Sequence, residues 1–387
     1  MKVLIVGHSY LAKENQKQLT ELSQHISIEV ASPKSFKGMI FNYNVSEELI
    51  SGLGWKIRLY NKWIPPNFPE AAYVFRSLDL GMKDFGPDIV HIEADPFSPV
   101  FINSFFVTRF WAPKAKIVCT IKQNTYTSRG KVIDGLKDFA ARRLVPQVDH
   151  FLTVNQGVAD IYLKRFGANP EKMTYCTHLG VDTNIFAPGK EGEKPKYYTR
   201  FCLERGEALL GYCGRLIDYK GVSDLIAAVK HLREQSQRDF RLCLLGDGPM
   251  KEELHTLIKD LPWLQLVPPI PHAEVADFLK ALDVFVMPSR ILPWHLEHDA
   301  HALLEAMSSG LPCIATRCGA NEDVLSGVGM LVEPRGPETL SDAMGALLSN
   351  EDHGSMLGRA ARQEVIEKYS IAAVAQIYLG IYKQVLS

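Results

Sequence analysis

Two acids, Glu297 and Glu305, lie in a polar loop and in the helix predicted to follow it, with seven residues between them. Two carboxylates at such a spacing could work as an acid and a base. A carboxylate can also accept two hydrogen bonds from neighbouring hydroxyl groups, as on a ribose or another sugar ring. The pair therefore points to acid–base chemistry or to binding of a sugar-containing ligand.

Two cations, Arg215 and Lys220, stand where a predicted strand at 208–213 gives way to a predicted helix at 222–232. Cationic side chains and the unpaired N–H groups at a helix start can together bind a diphosphate. A second phosphate contact is predicted at the start of the helix that begins near Ala300 or His301. Taken alone, two cations on a loop are more often simply exposed to solvent.

Three histidines, His295, His298 and His301, recur at every third residue beside Asp299, a pattern that invites a metal-site interpretation. In a loop this spacing need not aim the imidazoles at one point, and metal ligands usually come from more than one element. We therefore predict no metal site. A metal-dependent hydrolase stays as an alternative, although the Gly-x-Ser-x-Gly pattern of one hydrolase class is missing from the sequence.

The elements that must position these residues form two series of alternating strands and helices. Such alternation is typical of a mainly parallel, doubly wound sheet. In the first half the strands are predicted at 3–6, 26–31, 88–92, 116–121 and 150–154. In the second half they are predicted at 208–213, 241–245, 265–267, 283–287, 312–315 and 329–332. The turn-rich, charged stretch 176–201 separates the two series.

Length and composition are those of an ordinary globular protein. The chain of 387 residues and 43.4 kDa suggests two domains. Its net charge of −1 gives no case for nucleic-acid binding. Residues 1–150 hold 19 lysines and arginines against 14 acids, an excess of +5. Such an excess could face an anionic lipid or an acidic sugar, or could merely cover a solvated surface.

The cysteines and the N-terminal residues indicate the cellular compartment in which the protein is expected. Seven cysteines, with no Cys-x-x-Cys pair, lie mostly in or beside apolar runs, which indicates reduced thiols in a cytoplasmic protein. The apolar run after Met1 is too short for a signal peptide, and no stretch approaches ~18 consecutive apolar residues. We expect a cytoplasmic protein that is soluble or peripheral on the inner face of the cytoplasmic membrane.

Residues 38–68 interrupt the alternation of strands and helices. Cations and aromatic side chains are interleaved there, as in an interfacial segment or an aromatic sugar platform. They are Trp55, Lys56, Arg58, Tyr60, Lys62 and Trp63. We favour a β-hairpin or loop on the surface and keep peripheral membrane contact as the alternative. A later helix, which begins at Ser98-Pro99, should turn its stripe of Phe101, Phe105, Phe106 and Phe110 mainly toward the core.

Several motifs in order along the chain resemble the family-four retaining glycosyltransferases of the GT-B fold, as found in bacterial envelope or exopolysaccharide pathways. They are GVDTNIF, GYCGRLIDYKGVSDLI, LLGDGP, DVFVMPS and the Glu297/Glu305 pair with EAMSSGLPCIAT. The resemblance is strong over about 173–335 and extends to the N-terminal half only in layout. It implies an α/β protein of two doubly wound Rossmann-like domains facing each other across a cleft. The implied domains are an acceptor-binding domain at 1–190, a nucleotide-sugar donor domain at 191–368, and a C-terminal helix at 369–387 that crosses back to the first domain.

The resemblance also implies roles for individual residues. Arg215 and Lys220 match the diphosphate contacts, Glu305 the acid that binds ribose, and Glu297 the acid at the donor sugar and reacting centre. Residues 268–271 match the segment that holds the base. Besides the two cations and the two acids, the implied substrate contacts are Pro269, Ile270, His298, Asp299, Ala300, His301, Ala302, Gly7 and His91. Gly7 alone does not make the glycine fingerprint of a dinucleotide site.

The sequence departs from the family pattern at two places. After the first acid the family commonly has an aromatic residue and glycine, whereas this chain has His298, Asp299 and Ala300. Many members also carry a histidine after the strand that corresponds to 116–121. This chain has Lys122-Gln123-Asn124 there, so Lys122 or Asn124 could stabilise developing charge, or His91 could fill the space.

The expected protein is a retaining, metal-independent hexosyltransferase without a cofactor. It would move a sugar, glucose by preference, from a UDP-sugar to a hydroxyl of a saccharide or polyprenyl-linked acceptor. Arg215, Lys220 and helix N–H groups would stabilise the leaving diphosphate. The alternatives are a catalytically impaired nucleotide-sugar-binding protein or partner subunit, and the metal-dependent hydrolase.

Overall fold

The chain forms two compact α/β units. The structure is a computed structural model that describes residues 1–37, 42–64, 70, 72–123, 130–190, 192–201, 208–235 and 239–387. The first unit combines Met1–Gly180 with Ile371–Ser387, and the second is Val181–Ser370. Each unit has its own hydrophobic core.

The first unit is built on an eight-stranded sheet. The strands of the unit as a whole are β1 (Lys2–Val6), β2 (Ser27–Pro33), β3 (Ser35–Lys37), β4 (Asn42–Asn44), β5 (Leu49–Gly52), β6 (Trp55–Tyr60), β7 (Lys62–Trp63), β8 (Val74–Phe75), β9 (Ile89–Ile92), β10 (Lys116–Ile121), β11 (His150–Thr153) and β12 (Met173–Tyr175). The sheet order is β12-β11-β10-β9-β1-β2-β6-β5, and only β5 runs antiparallel to its neighbour. Strands β3 and β4, and β7 and β8, form two small antiparallel pairs.

Helices cover this sheet. They are α1 (Gln16–Ser23), α2 (Met82–Phe85), α3 (Pro99–Trp111), α4 (Lys131–Leu144) and α5 (Gln156–Phe166). The chain passes from β1 to β2 in one direction along the sheet and from β9 to β10 in the other. The carboxyl ends of β1 and β9 are therefore the topological switch point, where open α/β sheets bind ligands.

The second unit contains a six-stranded parallel sheet in the order β15-β14-β13-β16-β17-β18. Its strands are β13 (Ala208–Cys213), β14 (Phe240–Leu245), β15 (Leu264–Val267), β16 (Val284–Met287), β17 (Cys313–Thr316) and β18 (Met330–Val332). Its helices are α6 (Lys194–Arg200), α7 (Val222–Gln235), α8 (Lys251–Leu257), α9 (His272–Ala281), α10 (His301–Ser308), α11 (Ala320–Leu325), α12 (Pro337–Ser349) and α13 (Glu351–Glu364). The central strands are buried apolar runs, as expected for a sheet covered on both faces.

The last helix, α14 (Ile371–Leu386), is part of the first unit and packs on α1. The second unit begins at Val181, whose N–H donates to the Tyr369 carbonyl at 2.8 Å. This bond joins the two ends of the unit's chain, so the linker motif belongs to the second unit. The boundary at residue 190 suggested by the sequence lies inside that unit, because the turn-rich composition of the linker does not show what it packs against.

The aromatic and basic segment is a regular part of the first sheet. Strand β6 pairs in parallel with β2 and forms an antiparallel hairpin with β5, as favoured from the sequence. Trp55 is only 6% exposed, and its indole N–H donates to Thr20 Oγ1 at 3.0 Å. Trp55 is therefore a core residue rather than an interfacial one, whereas Trp63 is half exposed. Residues 38–41 and 65–69 of this segment lie outside the described residues.

The expectation for the phenylalanine stripe of α3 is half wrong. Phe101 and Phe105 are buried, but Phe106 and Phe110 are 62% and 76% exposed. At 100° per residue, Phe106 lies roughly 140° around the helix from Phe101, so the four rings cannot all face one core. The stripe is wider than the buried face.

The cysteines and the helices bear on the expectations about redox state and membranes. The six cysteines within the described ranges form no disulfide with one another and are buried or half-buried, and burial raises the pKa of the Cys243 thiol to about 12. Among the described residues, no helix has both the length and the apolar character needed to cross a bilayer.

Candidate active site

The turn between β13 and α7 carries Arg215 and Lys220. Lys220 closes a single 3₁₀ turn, and Gly221 follows with φ of +74°, in the left-handed region that favours glycine. A Cβ on Gly221 would lie 1.9 Å from the carbonyl oxygen of Pro288, just beyond the end of β16. Only glycine fits where the two strand ends meet, and this close approach brings Lys220 to the loop that carries Glu297.

Lys220 and Glu297 form a buried ion pair. The Lys220 Nζ lies 2.6 Å and 2.9 Å from the two carboxylate oxygens, and the Ser289 hydroxyl donates to Oε1 at 2.5 Å. Glu297 is only 6% exposed. Burial raises the pKa of this carboxyl, but the Lys220 charge and the hydrogen bonds from its neighbours outweigh burial and hold the pKa well below its usual range. Glu297 is therefore a carboxylate and not a general acid.

Arg215 and the loop before Glu297 meet at Tyr219. Arg215 Nη1 donates to the Tyr219 hydroxyl at 3.1 Å, and the Tyr219 ring lies 4.2 Å from the His295 imidazole. Arg290 fixes this arrangement, since its guanidinium donates to both Asp224 carboxylate oxygens at 2.6 Å and its backbone N–H donates to the Tyr219 carbonyl at 2.9 Å. A bidentate pair of this kind holds both partners in one geometry.

The three residues between Glu297 and α10 adopt a tight turn. Ala300 is 3% exposed and has φ of +45°, a conformation that costs an alanine roughly 1–2 kcal/mol relative to glycine. His298 is exposed, whereas Asp299 and His301 are half-buried. Ala302 lies in the first turn of α10. Ala300, which stands where the family commonly has glycine, thus lies at a backbone position whose positive φ favours glycine.

Glu305 has a partner that the sequence interpretation missed. His272 Nε2 lies 2.6 Å from Glu305 Oε1, and the carboxylate is buried. The imidazole also packs 5.4 Å from the ring of Phe186, a residue of the linker motif. His272 opens α9 directly after 268–271, the segment that the resemblance implies holds the base, so its place in the sequence was a signal that could have found it. Pro269 in that segment is exposed and Ile270 is half-buried.

A second polar cluster lies at the switch point of the first unit. Lys122 Nζ is 2.9 Å from His178 Nδ1, and His178 Nε2 is 2.8 Å from Glu93 Oε1. A Cβ on Gly7 would lie 2.5 Å from Glu93 Oε2, so Gly7 lets the carboxylate approach the first strand. Burial raises the pKa of Glu93, but the charges of His178 and Lys122 hold it well below its usual range. Glu93, a polar residue directly after a buried strand, could have been found from sequence.

His91 does not contact a ligand site. It is fully buried in β9, with Nδ1 2.7 Å from the Tyr382 hydroxyl and Nε2 2.7 Å from the Thr120 hydroxyl. Burial lowers its pKa to about 4. The interpretation of His91 as a substrate contact is therefore corrected: it is a core histidine with both nitrogens paired. Asn124 lies outside the described residues.

The histidines near Glu297 do not converge. His295 is buried against Tyr219, with Nε2 3.8 Å from Glu297 Oε1, whereas His298 points to solvent. Within the part of the chain that the structure describes, no three side chains of histidine, cysteine or acid come together as a metal site.

Comparison with known families identifies this site region. Residues 200–364 match the family model described as glycosyl transferases group 1. This region is a group 1 glycosyltransferase domain. It contains β13 to β18 and every second-unit residue named so far in this subsection apart from Phe186. The resemblance to family-four glycosyltransferases is confirmed.

The similar proteins support the same family and fold. The alpha-maltose-1-phosphate synthase of Mycolicibacterium smegmatis is 24% identical over 269 residues, or 65% of this chain and 67% of that protein. Two further curated relatives are matched over 56% and 38% of their lengths. A glycosyltransferase structure from Rickettsia africae aligns with a TM-score of 0.73 and 16% identity, covering 100% of this chain and 98% of that one. HepE of Anabaena in complex with UDP gives 0.73 and 14%, covering 99% and 100%. The fold is GT-B.

Proposed function

We propose that the protein is a retaining hexosyltransferase that moves glucose from UDP-glucose to a hydroxyl of a saccharide or lipid-linked acceptor. The buried Lys220–Glu297 pair beside Arg215 carries the proposal, because it places cations and a fixed carboxylate at the carboxyl ends of two adjacent parallel strands. The choice of donor is supported by HepE, whose structures hold UDP and UDP-glucose.

The proposed chemistry is stabilisation of a leaving group. The bond between the sugar C1 and the diphosphate oxygen breaks, and its electron pair passes to the diphosphate. Arg215, Lys220 and the N–H groups at the start of α10 bind the negative charge that develops there, in place of a metal ion. The acceptor oxygen bonds to C1 on the face that the diphosphate leaves, and its proton passes to the released diphosphate.

The two acids position the donor in this proposal. Glu297, held ionised by Lys220, accepts hydrogen bonds from hydroxyls of the transferred sugar. Glu305 accepts hydrogen bonds from the ribose, and His272 fixes its carboxylate. Pro269 and Ile270 line the base. We propose Lys122 of the first unit, whose ammonium group is held by His178, as a cation that stabilises developing charge.

One alternative keeps specific support. A nucleotide-sugar-binding protein with impaired catalysis is favoured by the left-handed Ala300 and by Asp299, whose charge would oppose a diphosphate nearby. The metal-dependent hydrolase loses its main support, since the histidines that suggested it do not converge in the described structure.

A donor screen tests the proposal. UDP-, GDP- and ADP-glucose are each added at about 100-fold over an expected dissociation constant, where a specific ligand adds roughly 2.7 kcal/mol of stability. We expect only UDP-glucose to raise the melting temperature by several degrees, and Glu305→Gln to reduce that rise. Equal shifts with all three donors, or a shift with GDP-glucose alone, would overturn the choice of donor.

A further inference from the structure

Helices α3 and α4 form one layer on the first unit. The steps from β9 to β10 and from β10 to β11 run in the same direction along the sheet, so right-handed crossovers put both helices on the same face. Arg109 in the last turn of α3 donates to the carbonyl of Gln147, which closes the turn after α4, at 3.4 Å. We call the outer side of these two helices the α3–α4 face.

Large apolar side chains are exposed on this face. On α4, Val132, Leu136 and Phe139 are 77%, 65% and 63% exposed. They follow one another at spacings of four and three residues, so they form a stripe on the side opposite the buried Ala141. On α3, Phe106 and Phe110 are exposed one turn apart. A stripe of this kind on a water-facing helix marks an interaction surface.

Positive charge also lies on these two helices. Together α3 and α4 contain five lysines and arginines against two acids, a net charge of +3 in a chain whose net charge is −1. Arg142 and Arg143 are exposed at the end of α4. The Arg143 guanidinium lies 5.3 Å from the centroid of the Phe139 ring, so a cation adjoins the apolar stripe.

We infer that the α3–α4 face docks on an anionic phospholipid surface. Exposed aromatic and aliphatic residues beside arginine and lysine are the composition of helices that lie in the interface of a bilayer. Anionic headgroups complement the net charge of +3 on the two helices. A second copy of this chain would instead bring two like-charged surfaces together in a symmetric dimer, which costs free energy.

This inference relocates the membrane contact suggested by the sequence. In residues 38–68 the aromatic Trp55 is a core residue, and Trp63 is the exposed tryptophan of the described part of that segment. The α3–α4 face was not recognised from sequence because Phe106 and Phe110 were assigned to the core. The inference does not depend on the proposed transfer reaction.

Vesicle flotation tests the inference. The full chain is mixed at low salt with vesicles of phosphatidylcholine alone or with about one-third phosphatidylglycerol. We expect binding only to the anionic vesicles, weakened by added salt because the attraction is screened. Leu136→Ser with Phe139→Ser, and separately Arg142→Gln with Arg143→Gln, should each lower binding on the order of tenfold or more.

Trp63→Ser is the matched control, since it removes another exposed aromatic residue from the same unit. It should leave flotation unchanged. The inference is overturned if the wild type fails to bind anionic vesicles, if neutral vesicles bind equally well, or if Trp63→Ser abolishes binding while the helix variants retain it. It is also overturned if the wild type is a dimer that the Leu136→Ser/Phe139→Ser variant dissociates. The arginine variant keeps the test decisive if the apolar variant does not fold.

Discussion

At the scale of single residues, the site depends on one buried charge pair. Lys220 and Glu297 are mostly shielded from water, and each satisfies the other. Removal of both charges should therefore change the free energy of unfolding little. Removal of one charge should lower it strongly, because the other charge is left buried and unpaired. The same pair gives the site its fixed geometry.

A double-mutant cycle tests this coupling. Lys220→Met should lower the free energy of unfolding by roughly 3 kcal/mol, because Glu297 loses its counter-charge. Adding Glu297→Gln should recover part of that loss. The surface pair of Arg317 and Glu322 is the control, since both side chains are about half exposed, and Arg317→Met should cost at most ~1 kcal/mol in chemical denaturation. Additive losses at Lys220 and Glu297 would show that the pair is not coupled.

The backbone at Ala300 gives a second prediction. Glycine adopts φ of +45° without the steric cost that alanine bears, so Ala300→Gly should raise the free energy of unfolding by about 1 kcal/mol. Ala302→Gly is the matched control two residues later. In the first turn of α10 it should lower stability, by roughly 0.5–1 kcal/mol. If thermal denaturation shows both variants destabilised alike, the left-handed turn is not strained.

At the scale of elements, His91 joins β9 to β10 and α14 through two hydroxyl partners. Burial lowers its folded-state pKa to about 4, whereas the imidazole of an unfolded chain titrates near 6.5. Between these pH values the unfolded state takes up a proton that the folded state does not. The stabilising effect of a neutral His91 is thus complete above pH ~6.5 and is lost as the pH falls toward 4.

The pH dependence of stability therefore contains a contribution from His91. The free energy of unfolding should fall by up to about 1.4 kcal/mol per pH unit from this residue as the pH drops through that range. His91→Gln should make the fall shallower, whereas His25→Gln, at an exposed position of the same unit, should leave it unchanged. Denaturation curves between pH 7 and 4, an interval spanning the two values above, measure this. An identical slope in the His91 variant would contradict a neutral, buried histidine.

Elements with a strong apolar run could be predicted from the sequence. Strand β10, for example, has the predicted bounds, because a strand buried on both faces is one continuous apolar run. The face of a helix was harder to predict, as α3 shows. Four phenylalanines satisfy a periodic pattern approximately, but only packing decides that Phe106 and Phe110 stay in water. The short strands near residue 60 lack any apolar run that would mark them.

At the scale of the whole molecule, the order of the motifs along the chain indicated the family more clearly than any single residue did. The series of motifs from Arg215 to Glu305 indicated the family, and the family model matches the same region. Contacts between distant residues could not be derived in this way. The pairs Lys122–His178, His178–Glu93 and His272–Glu305 join residues that are far apart in sequence, and nothing in their local patterns links them.

The most direct test of the proposed function is turnover of UDP-glucose at saturating donor. Release of UDP by slow transfer to water, with the anomeric configuration of the glucose followed by NMR, requires no knowledge of the acceptor. We expect the wild type to release UDP with retention of configuration. Arg215→Ala should reduce kcat on the order of 100-fold through lost stabilisation of the leaving diphosphate. Lys230→Ala, at an exposed position on α7, should leave kcat unchanged. Undiminished turnover in Arg215→Ala, or binding of UDP-glucose by the wild type without turnover, would contradict the account.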